Sequence, residues 1–359
     1  MKKSLFILAM AAVAAVGCLK TETVTVDTPQ EIAFKAVANA ATKADAQHVG
    51  VFVDEDYRLY VSATQKKVDG TIENASYFTD KPFDTATAAA DAEYHAWDPE
   101  TNAAAPIYWP LGGCILDYIA YAMPVVVHDA DPALVEGPVA TYDNEASDVA
   151  SLVAFDDWDT YKNQVDLLYA VKNGATTAEN AGAETVGLTF NHAQALLVFQ
   201  AKVNTEHVMQ INEIKIDGLL VKGDFIVDNS KNNLAAYWTN LVPVADENVV
   251  APGATPEDDN LHAYLDSEDP TADASEYLDN TTEFEQIGST LLIPQQPALN
   301  FVVTYTISGK TMEYEYNHVR KAWEMGKKYI YNLDITLNEI VITENVVDFD
   351  DVENPIELS

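Results

Sequence analysis

Apolar residues recur at every second position in this chain, and that period constrains the fold more than any other feature. Tyr329, Tyr331, Leu333, Ile335 and Leu337 alternate with Ile330, Asn332, Asp334, Thr336 and Asn338. One face is apolar and the other mostly polar, the pattern of a half-buried strand. Phe301, Val303, Tyr305 and Ile307 repeat it, as do Leu197, Phe199, Ala201 and Val203. Near the start, Val49, Val51 and Val53 alternate, and so do Ile32, Phe34 and Ala36. Stretches at helical period are scarce; the best are short pieces within 146–155 and 272–278. Many strands with turn-rich connections predict an all-β chain of antiparallel sandwiches rather than βαβ units.

At 359 residues the chain is long enough for two domains of about 100–200 residues each. The run 173–184, NGATTAENAGAE, is rich in Gly, Ala, Thr and Asn and separates two strand-rich halves. It predicts an N-terminal domain over 44–183 and a C-terminal domain over 184–359. Residues 245–279 read as an acidic surface excursion carrying Pro252, Pro256 and Pro270, and 86–106 as a second acidic, turn-rich region.

The first eighteen residues constrain location. Lys2 and Lys3 precede an apolar run from Leu5 to Val16, followed by Gly17 and Cys18. That is a secretory signal, too short for a permanent span of roughly 20 residues. Ala15-Val16-Gly17-Cys18 resembles a bacterial lipobox, which implies acylation of Cys18 and removal of residues 1–17. The alternative is an ordinary signal peptide that contains a cysteine. If Cys18 carries lipid, Cys114 is alone and no internal disulfide can form. Its apolar neighbours point to a small buried side chain, with a reactive thiol as the other reading.

Charge excludes several partners. The chain has 20 basic and 57 acidic residues, a net of -37. Phosphate binding needs clustered Lys and Arg, so nucleic acid is not a partner, nor is an anionic lipid surface. No basic residue lies between Lys81 and Lys162 or between Lys231 and Lys310, and the only arginines are Arg58 and Arg320.

The motifs of catalysis are missing. His48, His95, His128, His192, His207, His262 and His318 include no i,i+4 pair and no HExxH. There is no GxSxG, P-loop or GxGxxG. Asp54-Glu55-Asp56, Asp156-Asp157, Asp258-Asp259 and the Asp348/Asp350/Asp351 group lack calcium-loop spacing and read as solvated loops. His192 could be a ligand or base but reads better as a strand-end residue. Trp109 and Trp323 could stack on sugars but read better as packing residues. No metal and no cofactor is expected.

Five segments in order carry a resemblance: Tyr108-Trp109-Pro110 with Asp117-Tyr118-Ile119-Ala120-Tyr121; Asp166-Leu167-Leu168-Tyr169-Ala170; Leu188-Thr189-Phe190-Asn191-His192-Ala193; Leu292-Ile293-Pro294-Gln295; and Trp323-Glu324-Met325-Gly326-Lys327-Lys328-Tyr329. Behind a lipobox, this set resembles the fimbrillin family of the Bacteroidales, the type V pilins. Members often carry a Trp near the end where this chain has Val347-Asp348-Phe349-Asp350. The resemblance implies an all-β fold of two tandem transthyretin-like antiparallel β-sandwich domains with Greek-key connections, and no active site. It implies an outer-membrane lipoprotein whose first strand a trypsin-like protease removes, after which a neighbouring subunit supplies a strand and a cell-surface fimbria grows.

On this chain the removable strand is Ile32, Phe34 and Ala36, inside a lipidated propeptide over 18–43. Basic residues before the body are Lys20, Lys35 and Lys43, and Lys35 lies within that strand. Cleavage is therefore expected between Lys43 and Ala44, in a loop, although the family often has arginine there. Val346, Val347, Phe349, Ile356 and Leu358 make a candidate donor tail; alternatively the tail completes its own sheet. Expected partners are other fimbrial subunits, the maturation protease and a host or bacterial surface ligand. Two other readings are a surface-anchored glycan- or protein-binding lipoprotein or tip adhesin, and an exported hydrolase.

Overall fold

The computed structural model describes residues 30–37, 57–85, 93–98, 101, 103–110, 114–124, 140–143, 152–159, 166–176, 185–204, 209–216, 219–229, 235–243, 249–250, 277–278, 283–296, 300–317, 322–336 and 339–348. Among them the chain is all-β and contains no helix. The strands form four sheets.

The first sheet has nine strands. Its spatial order is Thr185–Thr189, Ala33–Val37, Tyr94–Asp98, Ile72–Thr85, Tyr57–Lys66, Ile115–Pro124, Leu168–Thr176 and Asn191–His192, with Ala103–Ala104 added beside Tyr94–Asp98. The sheet curls until Thr185–Thr189 comes beside Leu168–Thr176 near its other end. Such closure hides strand edges. Alternating residues turn inward from every wall, among them Ile32, Phe34, Leu59, Phe83, Leu116 and Leu188. Phe34 sits edge-on to Phe83 and Tyr118, with centroids 4.8 and 5.0 Å away, a favoured aromatic geometry. The buried Tyr118 hydroxyl has no hydrogen-bond partner among the described residues. The 86–106 region, expected to be irregular, contributes the strand Tyr94–Asp98 because Tyr94 and Ala96 alternate into this core.

The second sheet is built from both halves of the sequence: Ala235–Pro243, Leu220–Asp228, Leu152–Asp159 and Ala140–Asp143. Residues 152–155, expected within a helical piece, are strand instead. They are interior to this sheet, laddered to Leu220–Asp228 on one side and Ala140–Asp143 on the other, and that two-sided pairing overrides a weak local helical period. The 272–278 piece likewise ends in the strand Tyr277–Leu278, paired with Met209–Ile216. Phe225 and Val227 of the second sheet pack on the outer face of the first, against Ile119, Tyr121, Leu167 and Tyr169. Asn173 and Asn229 exchange side-chain amide hydrogen bonds between the two sheets, at 2.8 and 2.5 Å.

The chain leaves the first sheet after His192, beyond the 183/184 division expected from sequence. Val186 and Leu188 are buried in the first core, and Asn191–His192 pairs with Leu168–Thr176. The crossing is pinned at each residue. His192 Nδ1 lies 2.8 Å from the buried Asp166 carboxylate. The Ala193 amide donates to Leu167 O at 2.8 Å, and the Trp238 indole donates to Ala193 O at 2.6 Å. The Gly326 amide reaches Gln194 O at 3.0 Å from a left-handed turn, φ 68°, where glycine costs least.

The remaining two sheets face one another. One runs Glu285–Leu292, Ala195–Asn204, Lys327–Thr336, Ile340–Asp348. The other runs Val249–Val250, Met209–Ile216, Asn300–Ile307, Lys310–Asn317, with Tyr277–Leu278 also on Met209–Ile216. Between them, Phe199 stacks on Tyr331 at 5.5 Å, and Phe301 meets Tyr331 edge-on at 4.9 Å. Trp323 is fully buried and donates its indole N–H to the Tyr331 hydroxyl at 2.9 Å. Its backbone exchanges hydrogen bonds with Gln295. The Gln295 side chain in turn accepts from Leu220 N and donates to Leu220 O, both at 2.9 Å. One buried amide thus does the work of a strand, tying this sandwich to the second sheet.

Three outcomes follow from this packing. Gln295→Ala strands the N–H and C=O of Leu220, and urea titration should show a loss of about 2 kcal/mol. Tyr118→Phe removes a hydroxyl without a partner among the described residues and should leave the unfolding midpoint unchanged or higher, by up to about 1 kcal/mol in free energy. Burial pushes the Tyr94 phenol up to about 12 and raises those of Tyr118, Tyr121 and Tyr331 as well. The unfolded chain then loses these protons first, so stability is fully present below pH 10 and falls as pH rises above it. Tyrosinate absorbance and unfolding monitored by circular dichroism should rise together in an alkaline titration.

Candidate functional site

The sequence singles out Ile32, Phe34 and Ala36, and the structure places them at an interior position of the curled first sheet. The strand Ala33–Val37 runs parallel to Thr185–Thr189 over five residue pairs, Ala33↔Thr185 to Val37↔Thr189. Its other edge is antiparallel to Tyr94–Asp98, with Ala33↔His95 and Phe34↔Tyr94. Just before it, Ile32 N donates to Ile107 O and Trp109 N donates to Gln30 O, each at 2.8 Å. Ile32 and Phe34 are completely buried, and Ala33, on the opposite face, is 3% exposed. Ala36 pairs with Leu188 in the ladder.

Removing residues 30–37 would leave a slot with unpaired backbone on both walls. Its floor is aromatic: Phe83 and Tyr118 touch Phe34, and Trp109 stands edge-on to Tyr118 at 6.4 Å. Its rim is charged. Glu31 lies 3.2 Å from His95, and Lys35 lies 3.7 Å from Glu93, which is itself 3.9 Å from His95. An empty slot of this kind costs both hydrophobic burial and backbone hydrogen bonds. The walls were not visible in the sequence, because Thr185–Thr189 and 107–109 are distant along the chain. The Val186/Leu188 alternation was the one available signal.

Of the candidate donor residues, Val346 and Val347 lie in Ile340–Asp348, laddered to Tyr329 and Lys328 of Lys327–Thr336. Here they complete their own sheet; Val347 packs on Leu196, Val198, Leu291 and Ile330, and Asp348 pairs with Lys327. Cys18, Lys43, Ala44, Phe349, Ile356 and Leu358 lie outside the described residues.

Other residues weighed for chemistry have packing partners. Trp109 and Trp323 are buried in the two cores. Cys114 is buried, and that burial pushes its thiol up. Asp117 pairs with Lys66 and accepts from Gly174 N at 2.8 Å. Among the described residues no group of three or more His, Cys, Asp or Glu could hold a metal ion, and no helix is long and apolar enough to cross a membrane.

This arrangement has counterparts. A fimbrial protein from Bacteroides vulgatus is similar in structure at 12% sequence identity and a TM-score of 0.52, over 89% of this chain and 99% of that one. A protein assigned to cell adhesion from Bacteroides ovatus is similar at 15% identity and a TM-score of 0.54, over 90% and 98%. At these identities the likeness concerns the fold. No curated protein matches the chain at the sequence level. The fimbrillin-like family profile matches residues 38–348. The chain belongs to the fimbrillin-like family, and it is a structural, non-enzymatic protein.

Proposed function

We propose that this protein is a subunit of a cell-surface fimbria, exported as a lipoprotein through Cys18, matured between Lys43 and Ala44, and polymerised by strand exchange in support of adhesion. Residues 1–17 are the signal, 18–43 the lipidated propeptide carrying the removable strand, and the two sandwiches form the body. The observation that carries this reading is the first strand itself. It is inserted between two strands, with Ile32 and Phe34 fully buried, yet it belongs to the segment that cleavage at Lys43 would detach. Leaving, it would expose paired backbone and an aromatic floor that only another strand can satisfy.

Sheet pairing shields most of the described basic residues from a trypsin-like cut; Lys67, in the exposed turn after Tyr57–Lys66, is the described exception, and Lys20, Lys162, Lys231, Arg320 and Lys321, like Lys43, lie outside the described residues. Lys35, Arg58, Lys66, Lys81, Lys172, Lys202, Lys215, Lys222, Lys310, Lys327 and Lys328 all lie in strands. A protease needs its substrate extended in its own cleft, and backbone held in a sheet is not presented that way. Lys43 follows the first strand and precedes Tyr57–Lys66. Val346, Val347, Phe349, Ile356 and Leu358 remain the proposed donor, which requires the tail to leave its own sheet in the fibre.

Limited trypsin digestion tests the reading. The new N-terminus should be Ala44, Lys43→Gln should block the cut, and the cut protein should form ladders and filaments on gels and in negative stain. A clean cut that leaves only monomers would overturn polymerisation. Phe34→Ala should weaken the hold on the propeptide by about 3–5 kcal/mol, and size-exclusion chromatography after cutting should show faster release of residues 18–43.

A further inference from the structure

The slot that holds the first strand is selective, and its chemistry does not match this chain's own tail. Three features of the occupant are read by the walls. Ile32 and Phe34 point into the core, the residue between them faces the other way into a space that leaves Ala33 3% exposed, and Lys35 meets Glu93 at 3.7 Å on the rim. A replacement is therefore best matched by two apolar residues two apart with a small uncharged residue between them, and a cation next gains a weak contact with Glu93 on the rim.

The candidate donor tail, residues 346–359, offers two registers that put apolar residues at both buried positions. Val347 and Phe349 on the Ile32 and Phe34 positions place Asp348 where Ala33 lies and Asp350 where Lys35 lies. Ile356 and Leu358 place Glu357 at the Ala33 position and Ser359 at the Lys35 position. Either way a carboxylate replaces a buried methyl group, and reversing the strand does not help, because the intervening residue still falls on that face. A buried, unpaired carboxylate is strongly disfavoured. Residues 339–359 contain no Lys or Arg to meet Glu93.

We infer that the slot takes its strand from a different chain, one carrying the pattern apolar, small, apolar, cation, so that this subunit stands in a heteropolymer rather than a fibre of identical copies. This rests on the strand-exchange reading above. Donor and acceptor ends of one chain need not match when each meets another subunit: the acidic tail goes to a slot with a different rim, and this slot receives a basic-flanked strand.

Peptide exchange into the full chain, cut with trypsin, tests this. The probe is a fluorescent peptide of residues 30–37. It is compared with its Ala33→Asp and Lys35→Glu versions and with a peptide of residues 346–359. The 30–37 peptide should enter. Ala33→Asp should weaken binding roughly a hundredfold, and Lys35→Glu about tenfold. The Lys35→Glu loss should be recovered on a Glu93→Lys protein, a rescue that a merely structural effect would not give. The 346–359 peptide should not enter. Entry of that peptide as tightly as 30–37, or equal binding of all the variants, would overturn the selectivity and leave strand exchange standing. If no peptide enters, 30–37 included, strand exchange itself fails and the inference with it.

Discussion

Two-sided backbone pairing of the first strand is the constraint on which the N-terminal half depends. Residues 33–37 close the gap between Thr185–Thr189 and Tyr94–Asp98, and no other described strand bridges those two. Without them the curled sheet opens at that seam, and the aromatic floor under Phe34 meets water. A core that relies on a chain-terminal segment is an unusual investment for a stable protein. Under the strand-exchange proposal, such a subunit would fold complete alone and later have this place filled by another chain.

The two halves are joined by specific hydrogen bonds as well as apolar contact. Residues 190–194 pass between them, with Trp238 and Gly326 each binding a carbonyl on the way. Gln295 satisfies both backbone groups of Leu220, and Asn173 with Asn229 adds a third tie. Four of the five segments that carried the family resemblance supply residues at these crossings. Asp166 and His192, Gln295, Trp323 and Gly326 all sit where one sheet hands the chain to another.

Much of the architecture was legible because strand alternation is a local signal. The runs at 197–203, 301–307 and 329–335 are strands with the expected faces inward. What the sequence hid was pairing. Residues 152–155 have a helical look over a few positions, yet become strand because partners wait on both sides. The NGATTAENAGAE run looks like a boundary because it is a turn-rich connection, but connections within one sheet have the same composition; Val186 and Leu188 after it return to the first core. The residues of the slot were half visible. Ile32 and Phe34 declared an apolar face, whereas Glu93, His95 and 107–109 came to the site through topology alone.

The ladder between Ala33–Val37 and Thr185–Thr189 is parallel, while that to Tyr94–Asp98 is antiparallel. A strand held in this slot is gripped on one side over 33–37 by Thr185–Thr189 and on the other over 30–34 by 107–109 and Tyr94–Asp98. Tension applied along its axis slides it against both neighbours, so the hydrogen bonds are loaded together rather than opened one after another as in peeling. If the occupant of the slot links one subunit to the next, the joint resists pulling in the direction a tethered cell would exert it.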